Sequence, residues 1–168
     1  MARPAAKHVP ALGQEPAGPP FPVNFVAVMA PPARYPEALQ APVFAQLQAA
    51  AQALGQPAYV IGGYVRDFFL GHPGKDIDVV TLGSGAALAR QFAHLVRSNE
   101  VAVYENFGTA LVRHEGYEVE FVGARKESYR ADSRKPIVEN GTLEDDQLRR
   151  DFTINALSLS LHADGFGT

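Results

Sequence analysis

The stretch YVIGGYVRDFFLGHPGKDIDVVT, Tyr59–Thr81, decides how this chain is read. The apolar run from Ala58 to Ile61 meets Gly62 and Gly63, Val65, Phe68 and Phe69 recur at helical spacing until Gly71, and KDIDVVT alternates as a strand. The unit is strand, glycine turn, helix, strand. Because side chains alternate across a strand, Asp76 and Asp78 share one face, their Cα atoms roughly 6.5–7 Å apart at ~3.3 Å per residue. Two carboxylates on one face are costly unless a cation or a proton neutralises them. With a third acid from a neighbouring strand they would make an oxygen cage for divalent ions, and two Mg²⁺ about 3.5–4 Å apart clamp the attacking and leaving oxygens of a phosphoryl displacement. The plainer alternative is a pair of acids at an exposed strand edge. Gly62 and Gly63 would let backbone N–H groups approach a phosphate at a helix N-terminus, with Arg66 one turn in and aimed at the same anion. Here the plainer readings are a sharp bend and a local Arg66–Asp67 ion pair.

Upstream of this unit, Val43, Phe44, Leu47, Ala50, Ala51 and Leu54 follow helical spacing between Pro42 and a terminating Gly55. Downstream, Ser84 caps a helix carrying Leu88, Phe92, Leu95 and Val96. VAVYE, GTALVRHE and YEVEFVGA read as three strands, the last two joined by a tight turn at Glu115 and Gly116. Glu118 and Glu120 share the strand face opposite Tyr117, Val119 and Phe121, so one of them is the candidate third carboxylate; a solvated acidic face is the alternative. Arg125 to Gly141 has five basic residues and no apolar period, and reads as an exposed, mobile, basic loop. TLEDDQLRRD reads as a short helix with Thr142 as its cap, ended by Arg149 and Arg150, whose charges suit the C-terminal dipole. FTINALSLSL alternates as a last strand. The pattern gives an α/β (α+β) fold, a mixed sheet of about five strands with helices packed on it.

The composition limits the chemistry. A chain of 168 residues with 46% hydrophobic and 20% charged residues suits one ordinary globular domain. Zero cysteines exclude disulfides and thiolate metal sites, so a hard, oxygen-liganded ion is favoured. A net charge of −3 is not that of a protein that holds nucleic acid over its whole surface. Met1 to Tyr35 holds 8 of the 13 prolines without any hydrophobic period and reads as a disordered or loosely draped extension, leaving 36–168 as the folded unit. Phe21–Ala30 is apolar but interrupted by Pro22 and Asn24, a poor signal segment, and no window reaches a membrane span; a cytoplasmic location is expected.

GGYVRDFFLGHPGKDIDVVT and RRDFTINAL together resemble the head-domain signatures of the class II tRNA nucleotidyltransferase and bacterial poly(A) polymerase family, and FGTALVRHEGYEVEFVGARKESY resembles the middle of its CCA-adding branch. The resemblance implies a nucleotidyltransferase-fold head that transfers a nucleotide from CTP or ATP to the 3′ end of tRNA with Mg²⁺. It assigns Asp76 and Asp78 as metal ligands, Glu120 rather than Glu118 as the third catalytic acid, Gly62, Gly63 and Arg66 as triphosphate contacts, and Arg150, with Asp151 and Asn155 nearby, as contacts to the nucleotide. It likens the loop from Lys126 to Lys135 to the family's flexible loop. In the family a helical neck, body and tail follow the head and the neck selects the base; the chain ends at Thr168, so the expectation is a head-only piece of a longer enzyme. Competing readings are a poly(A) polymerase head and a nucleotide-binding interaction module without catalysis. A dinucleotide-binding oxidoreductase is disfavoured, because Gly62 and Gly63 lack G-x-G-x-x-G spacing.

Overall fold

The computed structural model describes residues 33–104, 108–128 and 137–168. The run Phe21–Ala30 and the proline-rich extension as far as residue 32 lie outside the described residues, as do positions 129–136 of the basic loop. Helix α1, Pro42–Leu54, begins on Pro42 and ends at Gly55, whose φ of 61° supplies the left-handed C-cap. Strand β1, Ala58–Ile61, leads through Gly62 into helix α2, Gly63–Phe69, and strand β2, Asp76–Thr81. Helix α3, Gly85–Val96, starts where the Ser84 hydroxyl accepts a hydrogen bond from the Ala87 N–H at 3.2 Å. Strands β3, Val101–Tyr104, β4, Thr109–His114, and β5, Tyr117–Gly123, follow. The β4–β5 turn falls on Glu115 and Gly116, with φ of 49° and 78°, the positive pair a two-residue hairpin turn demands.

Among the described residues the expected mixed sheet has six strands, in the order β3-β4-β5-β2-β1-β8, where β8 is Ser158–Ser160. Only β2 and β5 run parallel; every other neighbour in this sheet is antiparallel. Two sequence readings are corrected here. FTINALSLSL is not one strand: Thr153–Asn155 is a 3₁₀ turn and only three residues pair with β1, because the backbone at Ala156 is held by the Gln147 side chain. The supposed basic loop is bounded by a two-stranded ribbon, β6 (Arg125–Ser128) with β7 (Ile137–Asn140), registered from Arg125↔Asn140 to Ser128↔Ile137. RKES and IVEN carry no alternating apolar pattern, so a hydrophobic-period argument does not detect the ribbon.

The core lies on one face of the main sheet. Helices α1 and α3 pack together there, and α3 crosses β4 and β5. Phe44, Leu47, Leu88 and Phe92 from the helices meet Val60, Ile77, Val79, Ala110, Val112, Val119 and Phe121 from the strands, all essentially inaccessible to water. Phe92 and Phe121 meet in a tilted pair at 5.6 Å between centroids, each ring contributing about 1.5–3 kcal/mol through burial. Leu54, Leu95 and Phe69, read as apolar helix positions, are exposed, since each lies at or next to the end of its helix and turns past the sheet. Tyr35, at the end of the proline-rich segment, hydrogen-bonds Gly167 and packs edge-on against Phe69 at 4.8 Å. Among the described residues no helix is long and apolar enough to cross a membrane.

Candidate active site

Since Ile77 and Val79 of β2 and Val119 and Phe121 of β5 point into the core, the alternation sends Asp76, Asp78, Glu118 and Glu120 to the opposite face. The parallel register places Asp76 beside Glu118 and Asp78 beside Glu120, one interstrand step of about 4.8 Å away. The two glutamates differ in what β4 offers them. Arg113 lies opposite Glu118 and donates from Nε at 2.6 Å, whereas Leu111 lies opposite Glu120. Glu118 is thus engaged in an exposed ion pair, and Glu120 faces Asp78 across the strand boundary. Burial, then the Glu120 charge, pushes the Asp78 carboxyl above its ordinary value, with Asp76 adding to the rise and Arg150 opposing it. Asp76 is exposed. Among the described residues no three His, Asp or Glu side chains converge into a preformed metal cluster, so the expected cage is an open row of acids.

Asp78 is bordered by the glycine turn. Gly62 holds φ 78° and ψ −132°, and a Cβ there would lie 3.2 Å from Asp78 Oδ2, 3.4 Å from Arg150 Nη1 and 3.8 Å from the Asn155 carbonyl oxygen. Both backbone conformation and close approach therefore require glycine. The expectation that Gly62 offers its N–H to a phosphate is corrected: that N–H is donated to the Leu157 carbonyl at 3.0 Å. The N–H of Gly63, first residue of α2, has no partner within its helix.

Arg66 makes the local ion pair with Asp67 that is the plainer expectation, and a longer-range bond besides. Its Nε and Nη2 donate to Asp67 at 2.7 and 3.0 Å, while Nη1 donates to Asn155 Oδ1 at 2.8 Å. Hydrogen bonding to Arg66 holds the Asp67 carboxyl below its ordinary range. Among the described residues, two of the five guanidinium N–H groups of Arg66 have no partner. Arg150 donates to the Asn155 carbonyl at 3.4 Å, so Asn155 links α2 to the chain after helix α4, Leu143–Leu148, by its side chain and backbone together. Asp151 is exposed and makes no hydrogen bond or ion pair among the described residues, so it stays outside this network.

Sequence reasoning missed Asp146. This acid of α4 is fully buried, and the two guanidiniums read as dipole caps bind it instead: Arg149 through Nε and Nη2 to Oδ1 at 2.9 and 2.6 Å, Arg150 through Nε and Nη2 to Oδ2 at 3.2 and 2.9 Å. The available signal was spacing, because an acid with arginines at i+3 and i+4 presents all three on one helical face. Gln147 went unnoticed as well; its amide donates to the Ala156 carbonyl and to Ser158 Oγ, tying α4 to β8.

A head carrying paired strand acids beside a glycine turn is the arrangement of a nucleotidyltransferase, and the comparisons agree. Residues 58–166 match the poly A polymerase head domain family, and the chain belongs to it. An A-adding tRNA nucleotidyltransferase of Geobacter sulfurreducens is 42% identical over 113 residues, 67% of this chain and 13% of that protein. A CCA-adding enzyme of Streptococcus mutans is 36% identical over 130 residues, 76% of this chain and 30% of that protein. The fold resembles, at a TM-score of 0.61 and 34% identity, the crystal structure of a tRNA nucleotidyltransferase complexed with a primer tRNA and an incoming ATP analog, over 73% of this chain and 33% of that one. The chain thus spans well under half the length of these relatives.

Proposed function

We propose that residues 36–168 form the catalytic head of a cytoplasmic tRNA nucleotidyltransferase, with 1–35 as an extension, adding CMP and AMP from CTP and ATP to tRNA 3′ ends. The observation that carries this reading is Asp78, raised in pKa and set against Gly62, with Arg150 on the far side of the glycine and Glu120 on the next strand. The residues suit a divalent cation: the acid row concentrates negative charge on oxygen donors, and Mg²⁺ accepts one or two protein carboxylates with substrate phosphates supplying further ligands. Asp76 and Asp78 would hold it, with Glu120 as the third acid. When bound, Mg²⁺ supplies acidification of the attacking 3′-hydroxyl and charge neutralisation at the leaving pyrophosphate.

The chain's own groups account for positioning. Gly63 N–H and the two unused Arg66 donors face the triphosphate, Gly62 contributes by having no side chain, and Arg150, fixed with Asn155, orients the nucleotide alongside Asp151. A narrower reading, AMP addition alone, is favoured by the higher identity to the A-adding relative. The test incubates the full-length protein with tRNA lacking its 3′ end, Mg²⁺ and labelled CTP or ATP. Asp76→Ala and Asp78→Ala should each abolish transfer and leave the fold intact; activity retained in either refutes the assignment. Incorporation from ATP but not CTP selects the narrower reading. Binding of nucleotide with Mg²⁺ but no transfer by the full-length protein selects a non-catalytic module.

A further inference from the structure

We propose that Asp146 is a positioning residue for the nucleotide site, acting through Arg150; this rests on the reading of that site given above. A buried carboxylate without partners costs several kcal/mol, so some cation beside Asp146 is unavoidable. One guanidinium fork would suffice, yet two are present, each giving two N–H groups to its own carboxylate oxygen. Arg150 is the one turned toward the glycine turn. Arg150 is gripped from Nε and Nη2, which fixes the plane of its guanidinium and leaves Nη1 as the free end. That nitrogen reaches the Asn155 carbonyl and comes within 3.4 Å of the point where a Gly62 Cβ would stand, a point 3.2 Å from Asp78 Oδ2. Arg150 is only about one-fifth exposed and has little room for another rotamer.

A residue that merely stabilised α4 would have no reason to set the direction of Nη1. A positioning role also makes a prediction opposite in sign to simple electrostatics. Removing a negative charge near a triphosphate strengthens anion binding by Coulomb's law, whereas releasing Arg150 from its fixed plane weakens it, because the ordering must then be supplied by the ligand.

The experiment measures MgATP and MgCTP affinity calorimetrically for the protein as it stands, with the melting temperature of each variant taken alongside. Binding by the unaltered protein is required by the proposed function itself, so its absence defeats that reading and not this one alone. Asp146→Asn is expected to weaken binding about tenfold, the loss of roughly one charge-assisted hydrogen bond. Arg150→Ala should weaken it similarly, and adding Asp146→Asn to Arg150→Ala should change it by less than about twofold, since the acid acts only through the arginine. Should Asp146→Asn fail to fold, Asp146→Glu, which retains the charge but pushes both forks outward by one methylene, is expected to weaken binding by about threefold or more. Tighter or unchanged binding in whichever variant folds, or additive losses in the double variant, overturns the proposal.

Discussion

Replacing Gly62 by alanine separates two demands that the glycine turn places on the chain. The backbone sits at φ 78°, where an L side chain is strained, and that strain costs about 1–3 kcal/mol. The new Cβ also arrives 3.2 Å from Asp78 Oδ2 and 3.4 Å from Arg150 Nη1, tighter than ordinary contact, so one of them must retreat by a few tenths of an ångström. At roughly 2–4 °C per kcal/mol for a domain of this size, the melting temperature should fall by about 2–12 °C. A misplacement of about 1 Å costs on the order of 10²-fold in rate, so a few tenths costs about fivefold in nucleotide transfer. Gly63 is the control, because its backbone lies outside the left-handed range and its Cβ would meet only Arg66 Nη2, at 3.8 Å. Gly63→Ala should melt at or slightly above the parent temperature, alanine being preferred in a helix by about 0.5–1 kcal/mol. Thermal denaturation followed by circular dichroism, with transfer assays on the same samples, decides it. If the two variants melt alike, the positive φ and the close approach to Asp78 are not what reserves position 62 for glycine.

Two further outcomes follow from the acid row. The folded protein raises the Asp78 carboxyl above its unfolded value near 3.8, so between these two values the native state binds more protons than the unfolded chain, and stability falls as pH rises through that window. Asp78→Asn should therefore melt higher than the parent at neutral pH, lose that advantage as pH drops below about 4, and show no transfer; a lower melting temperature at pH 7 would contradict the assigned cause. Glu118 and Glu120 should part company. The Arg113–Glu118 pair is half exposed, with side chains at 56% and 47%, and is screened by solvent, so Glu118→Gln should leave transfer within about twofold, while Glu120→Gln, beside Asp78, should lower it by about tenfold or more; equal losses would remove the distinction.

Wherever burial and local backbone geometry carried the signal, the sequence was enough. The alternation in DIDVVT and YEVEFVG placed Asp76, Asp78, Glu118 and Glu120 on one face, because hydrophobic neighbours admit only one orientation of each strand. The caps at Ser84 and Thr142 were equally legible, since a hydroxyl followed by the first turn's N–H groups is a local pattern; the Thr142 cap forms a full box with Asp145. The β6–β7 ribbon was not, for its pairing, registered from Arg125↔Asn140 to Ser128↔Ile137, runs through backbone groups that all sequences share.

The choice between Glu118 and Glu120 marks the boundary. By itself the sequence determined that acids line one face of two strands, that a glycine turn precedes a helix bearing Arg66, and that no thiolate takes part. Only the tertiary structure decided which acid is engaged, because Arg113 reaches Glu118 through the β4–β5 register. It alone showed that Gly62 spends its N–H on Leu157 and that Asp146 grips the arginines that looked like helix caps. Periodicity reports which way a side chain points relative to the core. Which polar partner it finds there depends on strand register and on segments distant in sequence, and these are fixed only when the whole chain packs.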